Sequence, residues 1–92
     1  MIELDEMKDT GEPVESMRSL MEGIVLTLVD SRDSVVVKAV PSASEVAIVI
    51  AVAAEDLGKV IGKDGRTVRS LRTILGAASK KFGLNCSVDL RE

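Results

Sequence analysis

From Val14 to Val29 the apolar residues fall at Met17, Leu20, Met21, Ile24 and Leu28, the i, i+3, i+4, i+7, i+11 spacing of a helix that buries one side. Asp30-Ser31-Arg32-Asp33 ends it. The period then shortens: Ser34–Val40 and Glu45–Ala53 are rich in β-branched residues, and Pro41-Ser42-Ala43-Ser44 between them predicts a hairpin. The second strand is apolar on both sides, with Val46, Ile48, Ile50 and Val52 on a bulky face and Ala47, Val49 and Ala51 on a smaller one.

Glu55-Asp56 puts acids at the positive end of a short helix carrying Leu57, Val60 and Ile61. A longer helix over Arg66–Phe82 repeats Val68, Leu71, Ile74 or Leu75, Ala78 and Phe82 on its buried side, and Gly83-Leu84-Asn85 stops it. Cys86, Val88 and Leu90 then alternate with Ser87, Asp89 and Arg91 as a last strand. The predicted order is α-β-β-α-α-β. Residues 1–13 are acidic, include Gly11 and Pro13, and lack an apolar period, so they read as a flexible tail before a domain at 14–92. Gly58 and Gly76 sit inside helices at about 1 kcal/mol each relative to Ala, which predicts close helix packing at both.

Composition narrows the chemistry. Ninety-two residues make one small domain, with Phe82 the single aromatic, Cys86 the single cysteine, and no His, Trp or Tyr. A disulfide framework and a zinc site within the chain are excluded, and no nucleophile–base pair or metal-ligand cluster stands out, so neither an enzyme, a cofactor nor a metal is expected. No apolar run reaches spanning length and the amino terminus is acidic, so the expectation is a soluble protein of the reducing cytoplasm with no membrane partner. Net charge is −3, but its distribution matters more: residues 1–33 hold nine acids against three bases, residues 55–82 three acids against seven bases.

That positive charge surrounds Val60-Ile61-Gly62-Lys63-Asp64-Gly65-Arg66. Two glycines three apart between helical runs describe a tight turn where a sugar-phosphate backbone can lie against bare main chain, facing the positive start of the next helix. A P-loop is a poor alternative, because Gly62 and Gly65 lack the G-x-x-x-x-G-K-[ST] spacing.

With its flanks Glu-Asp-Leu-Gly-Lys and Arg-Thr-Val-Arg-Ser-Leu-Arg-Thr-Ile-Leu, the turn resembles the signature of KH domains, whose G-x-x-G loop clamps about four nucleotides. Over residues 16–92 the chain is similar to the short bacterial single-KH RNA-binding proteins of the prokaryotic, type II kind. The resemblance implies an α+β two-layer domain, a three-stranded sheet with helices packed on one face. It also implies single-stranded RNA as ligand, an RNA-chaperone or post-transcriptional role, and a homodimer or a heterodimer with a larger KH-domain RNA-binding protein. Carried over by position, Gly62 and Gly65 are the family glycines and Lys63 and Asp64 the variable pair. Arg66, with Lys63, would meet phosphates; Leu57, Val60, Ile61 and Val68 would line an apolar groove with part of the second strand opposite; Arg69 is a further candidate contact. Asp64 departs from a purely basic loop, either weakening phosphate binding or favouring the turn. Lys59, Lys80 and Lys81 read as solvated helix face, while Arg72, three residues from Arg69 on the turn-proximal half of the helix, reads as either solvated face or contact. The competing reading is a protein-assembly module, because Ala47, Val49 and Ala51 would be left exposed on a sheet covered on one side only.

Overall fold

The computed structural model describes residues 13–92, and the expected tail, apart from Pro13, lies outside them. Pro13 opens helix α1, Pro13–Leu28. Two strands follow, β1 Val36–Pro41 and β2 Val46–Ala51, then the short helix α2 Leu57–Ile61, the longer α3 Arg66–Lys80, and β3 Cys86–Arg91. β2 is the central strand, antiparallel to β1 and parallel to β3. A parallel neighbour cannot be reached by a hairpin, so α2 and α3 form the crossover between β2 and β3. The result is the expected α+β two-layer domain in the order α-β-β-α-α-β.

The core lies between helices and sheet. Ile48 and Ile50 from β2, Met21 and Val25 from α1, Val60 from α2 and Leu75 from α3 are all at 0% exposure. On α1 the buried row is Met17, Met21 and Val25, continued by Val29, rather than the expected row through Leu20, which stays 41% exposed. Positions four apart drift slowly round a helix, so this row keeps facing the sheet while the row through Leu20 and Ile24 falls on its flank. On α3 the choice between Ile74 and Leu75 goes to Leu75; Ile74 is 45% exposed.

Element ends moved for local reasons. β1 starts at Val36 because residues 32–34 close a 3₁₀ turn, Val35 N–H donating to Arg32 O at 3.1 Å. Ser42 closes the hairpin, its N–H and Oγ–H both donating to Glu45 O at 2.8 and 2.9 Å. Pro41, which has no N–H to give a ladder, is tolerated on edge strand β1. α3 ends at Lys80, not Phe82: Gly83 at φ 68° reverses the chain, Leu84 N–H reaching Ser79 O and Gly83 N–H reaching Lys80 O. Phe82 therefore sits beyond the helix at 41% exposure, with Lys81 Nζ 5.7 Å from its ring centre. Gly58 and Gly76 do not mark close packing, since an added Cβ would meet nothing within 4 Å at either.

Helices cover one sheet face; the other is open. It carries Val36, Lys38 and Val40 from β1, half-buried Ala47, Val49 and Ala51 from β2, and Asp89 and Arg91 from β3. Val36 and Val40 are 46% and 51% exposed.

Candidate nucleic-acid interface

Gly62 ends α2 at φ 79°, ψ 169°, a region only glycine occupies comfortably. Its N–H still closes the last turn on Gly58 O at 2.8 Å. A Cβ there would lie 2.2 Å from Thr67 Oγ1, 2.6 Å from Thr67 Cβ and 2.8 Å from Thr67 N. Gly62 is thus required twice, by its backbone angle and by the start of α3 pressed against it. Residues 63–65 form one 3₁₀ turn with Gly65 N–H on Gly62 O at 3.1 Å. Asp64 (φ 55°, ψ 26°) and Gly65 (φ 73°, ψ 15°) are consecutive left-handed residues. Asp is among the few side chains that adopt this conformation readily, so favouring the turn is a sufficient reason for an acid in a basic loop. Gly65 has open space where a Cβ would be.

Lys63, Asp64 and Arg66 are exposed around this turn, and Ile61 is 36% exposed on its α2 side with Leu57 half-buried behind it. Val60 and Val68 do not line a groove: at 0% and 7% exposure they belong to the core, where α2 and α3 meet the sheet. Nor does β2 stand opposite, because it is the central strand and its helix-facing Ile48 and Ile50 are fully buried. The strand that packs with α3 is β3. Arg69 is brought to the turn, but by holding it: one guanidinium nitrogen donates to Asp64 O at 2.7 Å and Nε to Gly65 O at 3.4 Å. Gly65 caps α3 and Asp64 precedes it, so the guanidinium ties the left-handed turn to the first turn of the helix.

The electrostatics run against local preference. The first turns of α3 carry Arg66 and Arg69 where the helix dipole is positive and cations are disfavoured. No acid lies between Asp64 and Asp89 to offset them. Elsewhere among the described residues Arg18 pairs with Glu15 and Glu22, Lys59 with Asp30 and Asp56, and Arg91 with Asp89, while Arg32, Lys38, Lys80 and Lys81 enter no ion pair. Lys63, Arg66, Arg69 and Arg72 enter no ion pair among the described residues, although Arg72 reaches Val88 O at 3.5 Å. That acid-free stretch was readable in the sequence. Thr67 and the Lys59 pairing were not, because each depends on a contact across a turn or between elements.

A glycine-x-x-glycine turn between two helices, packed on a three-stranded sheet in this order, defines a KH domain. A family model described as KhpA/KhpB, KH domain, matches residues 11–90, and the chain belongs to that family. Proteins named RNA-binding protein KhpA are similar along nearly their whole length. That of Clostridium acetobutylicum is 43% identical over 74 residues, covering 80% of this chain and 99% of its own. That of Borreliella burgdorferi is 37% identical over 84 residues, covering 91% and 98%. That of Aquifex aeolicus is 37% identical over 79 residues, covering 86% and 100%. No solved structure matches the chain significantly.

Proposed function

We propose that this chain binds single-stranded RNA without catalysis, as an RNA chaperone or post-transcriptional regulator in the cytoplasm. The turn Gly62–Gly65 takes the sugar-phosphate backbone, Lys63 and Arg66 neutralise phosphates, the first N–H groups of α3 face them, and Ile61 and Leu57 offer an apolar edge for bases. Arg69 braces the turn. The observation that carries this reading is the placing of Lys63 and Arg66 at the positive end of α3 with no acid in its first turn, an arrangement that is locally unfavourable until an anion joins it. The names of the relatives support it. No helix among the described residues is long and apolar enough to cross a membrane.

Lys63→Asp tests it. Both glycines remain and the side chain is exposed, so stability should change by no more than about 0.5 kcal/mol, while affinity for an unstructured oligoribonucleotide falls sharply through charge repulsion. A folded variant that binds as well as wild type would remove this turn from the site.

A second reading, assembly through the open sheet face, has its own observation. The register sets Val36, Ala51 and Arg91 in one row, Lys38, Val49 and Asp89 in the next, and Val40, Ala47 and Ser87 in the third. The occupant that fits is a second copy with a two-fold axis along β2, which places each Lys38 opposite the other copy's Asp89 and Val49 against Val49. An axis across the strands would set Lys38 on Lys38. Three strands of six residues give a footprint of roughly 250 Å² per copy, well below the about 800 Å² per partner of a stable complex. The association is therefore weak and concentration-dependent. Pairing with a larger KH-bearing protein is the other form this reading takes.

A further inference from the structure

Asp56 is a buried carboxylate that the RNA site does not use, at 0% exposure. It precedes α2 but does not cap it. Its carboxylate instead reaches back to the turn after α1: Oδ2 accepts from Ser31 N–H at 2.9 Å, and Oδ1 from Asp30 N–H at 3.3 Å and from Lys59 Nζ at 2.9 Å. Lys59 Nζ also donates to Asp30 Oδ2 at 2.5 Å. Two carboxylates, one ammonium and two backbone amides thus join two separate pieces of chain, residues 30–31 and 56–59.

Burying a charge is unfavourable unless it is fully bonded, and well-packed apolar residues commonly serve stability as well. What the charged knot adds is direction, since each bond has a required geometry. α2 is only five residues long, about 7.5 Å, so the knot sits one and a half turns from Gly62. A tilt of about 10° at the knot would carry the turn through about 1.3 Å over that length. Lys59, four residues before Lys63 and equally cationic by sequence, is held by both carboxylates and turned away from phosphate duty.

Building on the RNA-binding reading above, we infer that Asp56 is a positioning residue for the glycine turn: through Lys59 and the backbone of residues 30–31 it fixes the angle at which α2 presents Gly62–Gly65 to RNA. Neither Asp56 nor Lys59 touches the ligand.

The test uses the full chain, Asp56→Asn and Lys59→Met, with a labelled oligouridylate as probe, at a temperature where circular dichroism shows each variant fully folded. Lys59 is 43% exposed on its side chain and the Ser31 and Asp30 amides still bond Asp56 in Lys59→Met, whereas Asp56→Asn removes the buried charge itself, so the two variants load the fold differently. Affinity should weaken by about tenfold, the scale seen when the support behind a binding group is lost. The slope of log affinity against log salt should not change, whereas Lys63→Gln should reduce it by about 0.7, one phosphate contact on a single strand. Unchanged affinity in the folded variants would make the knot a stability element only. A slope reduced as in Lys63→Gln would make Lys59 a phosphate contact. If wild type binds no oligouridylate, the RNA reading falls, and hydrogen exchange decides the knot separately. The Gly62 and Gly65 amides, bonded to Gly58 O and Gly62 O, should exchange faster in Asp56→Asn relative to Ile48 and Leu75. An equal change at all four, or none, would overturn the inference.

Discussion

Replacing each glycine of the turn by alanine separates two requirements that the sequence motif presents as one. At Gly65 the change is conformational only: αL costs a side chain about 1–2 kcal/mol, the added methyl meets open space, and the stiffer unfolded chain returns about 0.4–1 kcal/mol. The net loss is about 1 kcal/mol. At Gly62 the backbone lies at φ 79°, ψ 169°, where strain runs to about 1–3 kcal/mol. The new Cβ also lies inside contact distance of three Thr67 atoms, adding about 1–3 kcal/mol of overpacking. Net of the unfolded-state gain, Gly62→Ala should lose about 3 kcal/mol, a large part of the about 5–10 kcal/mol a domain of this size holds. Urea denaturation followed by circular dichroism measures both. Thr67→Ala in the Gly62→Ala background should recover little, because Thr67 Cβ and N, two of the three crowded atoms, survive the change. Equal losses at the two glycines, or full rescue by Thr67→Ala, would refute the account of α3 packed against Gly62.

Acid should weaken the fold through Asp56, whose pKa is lowered chiefly by the Lys59 ammonium and next by Ser31 N–H, against the opposing effect of burial. A folded-state value below the unfolded one means the contribution is complete above about pH 4 and is lost as pH falls through the lowered value; melting temperature should drop there in wild type and less steeply in Asp56→Asn. On the open sheet face, Lys38→Asp and Asp89→Lys should each weaken self-association in sedimentation. Their mixture should restore it, because every contact across the proposed axis then pairs Asp with Lys; a mixture no better than either variant alone would exclude that axis.

The element order, the hairpin, the turn and the stop at Gly83 were legible because each rests on local chemistry: period, β-branching, and glycine where φ must be positive. Side-chain destinations were less so. Leu20 and Val25 fit a helical stripe about equally well, and the sheet's position under α1 chose Val25. Val60 and Ile61 are adjacent apolar residues on a five-residue helix, yet one is in the core and the other at the surface, a rotation no sequence period of that length resolves. Placing the second strand opposite the turn failed because parallel pairing to β3 puts β2 in the centre of the sheet, and strand order is a long-range property. Lys59 illustrates the same limit, since its partner Asp30 lies in another element.

Across the described residues, the exceptions to local rules gather in one place. Cations at a helix C-terminus, or between carboxylates, need no ligand to explain them; Arg18 and Lys59 are of the second kind. Arg66 begins α3 at its positive end, Asp64 is the only non-glycine residue at positive φ, and Gly62 occupies a conformation almost closed to other residues. Arg69 then spends its guanidinium on the Asp64 and Gly65 carbonyls rather than on an acid. Each is unfavourable or idle in the free protein, and a phosphate in the turn would relieve the charge on Arg66 while meeting the bare backbone at Gly62 and Gly65. The bracing by Arg69 gives the idea a direct check. Arg69→Met should remove the guanidinium bonds to the Asp64 and Gly65 carbonyls and quicken amide exchange at Gly65 in the unbound protein, so affinity loss in that variant should accompany loop loosening. Affinity lost with Gly65 exchange unchanged would instead make Arg69 a phosphate contact like Lys63 and Arg66.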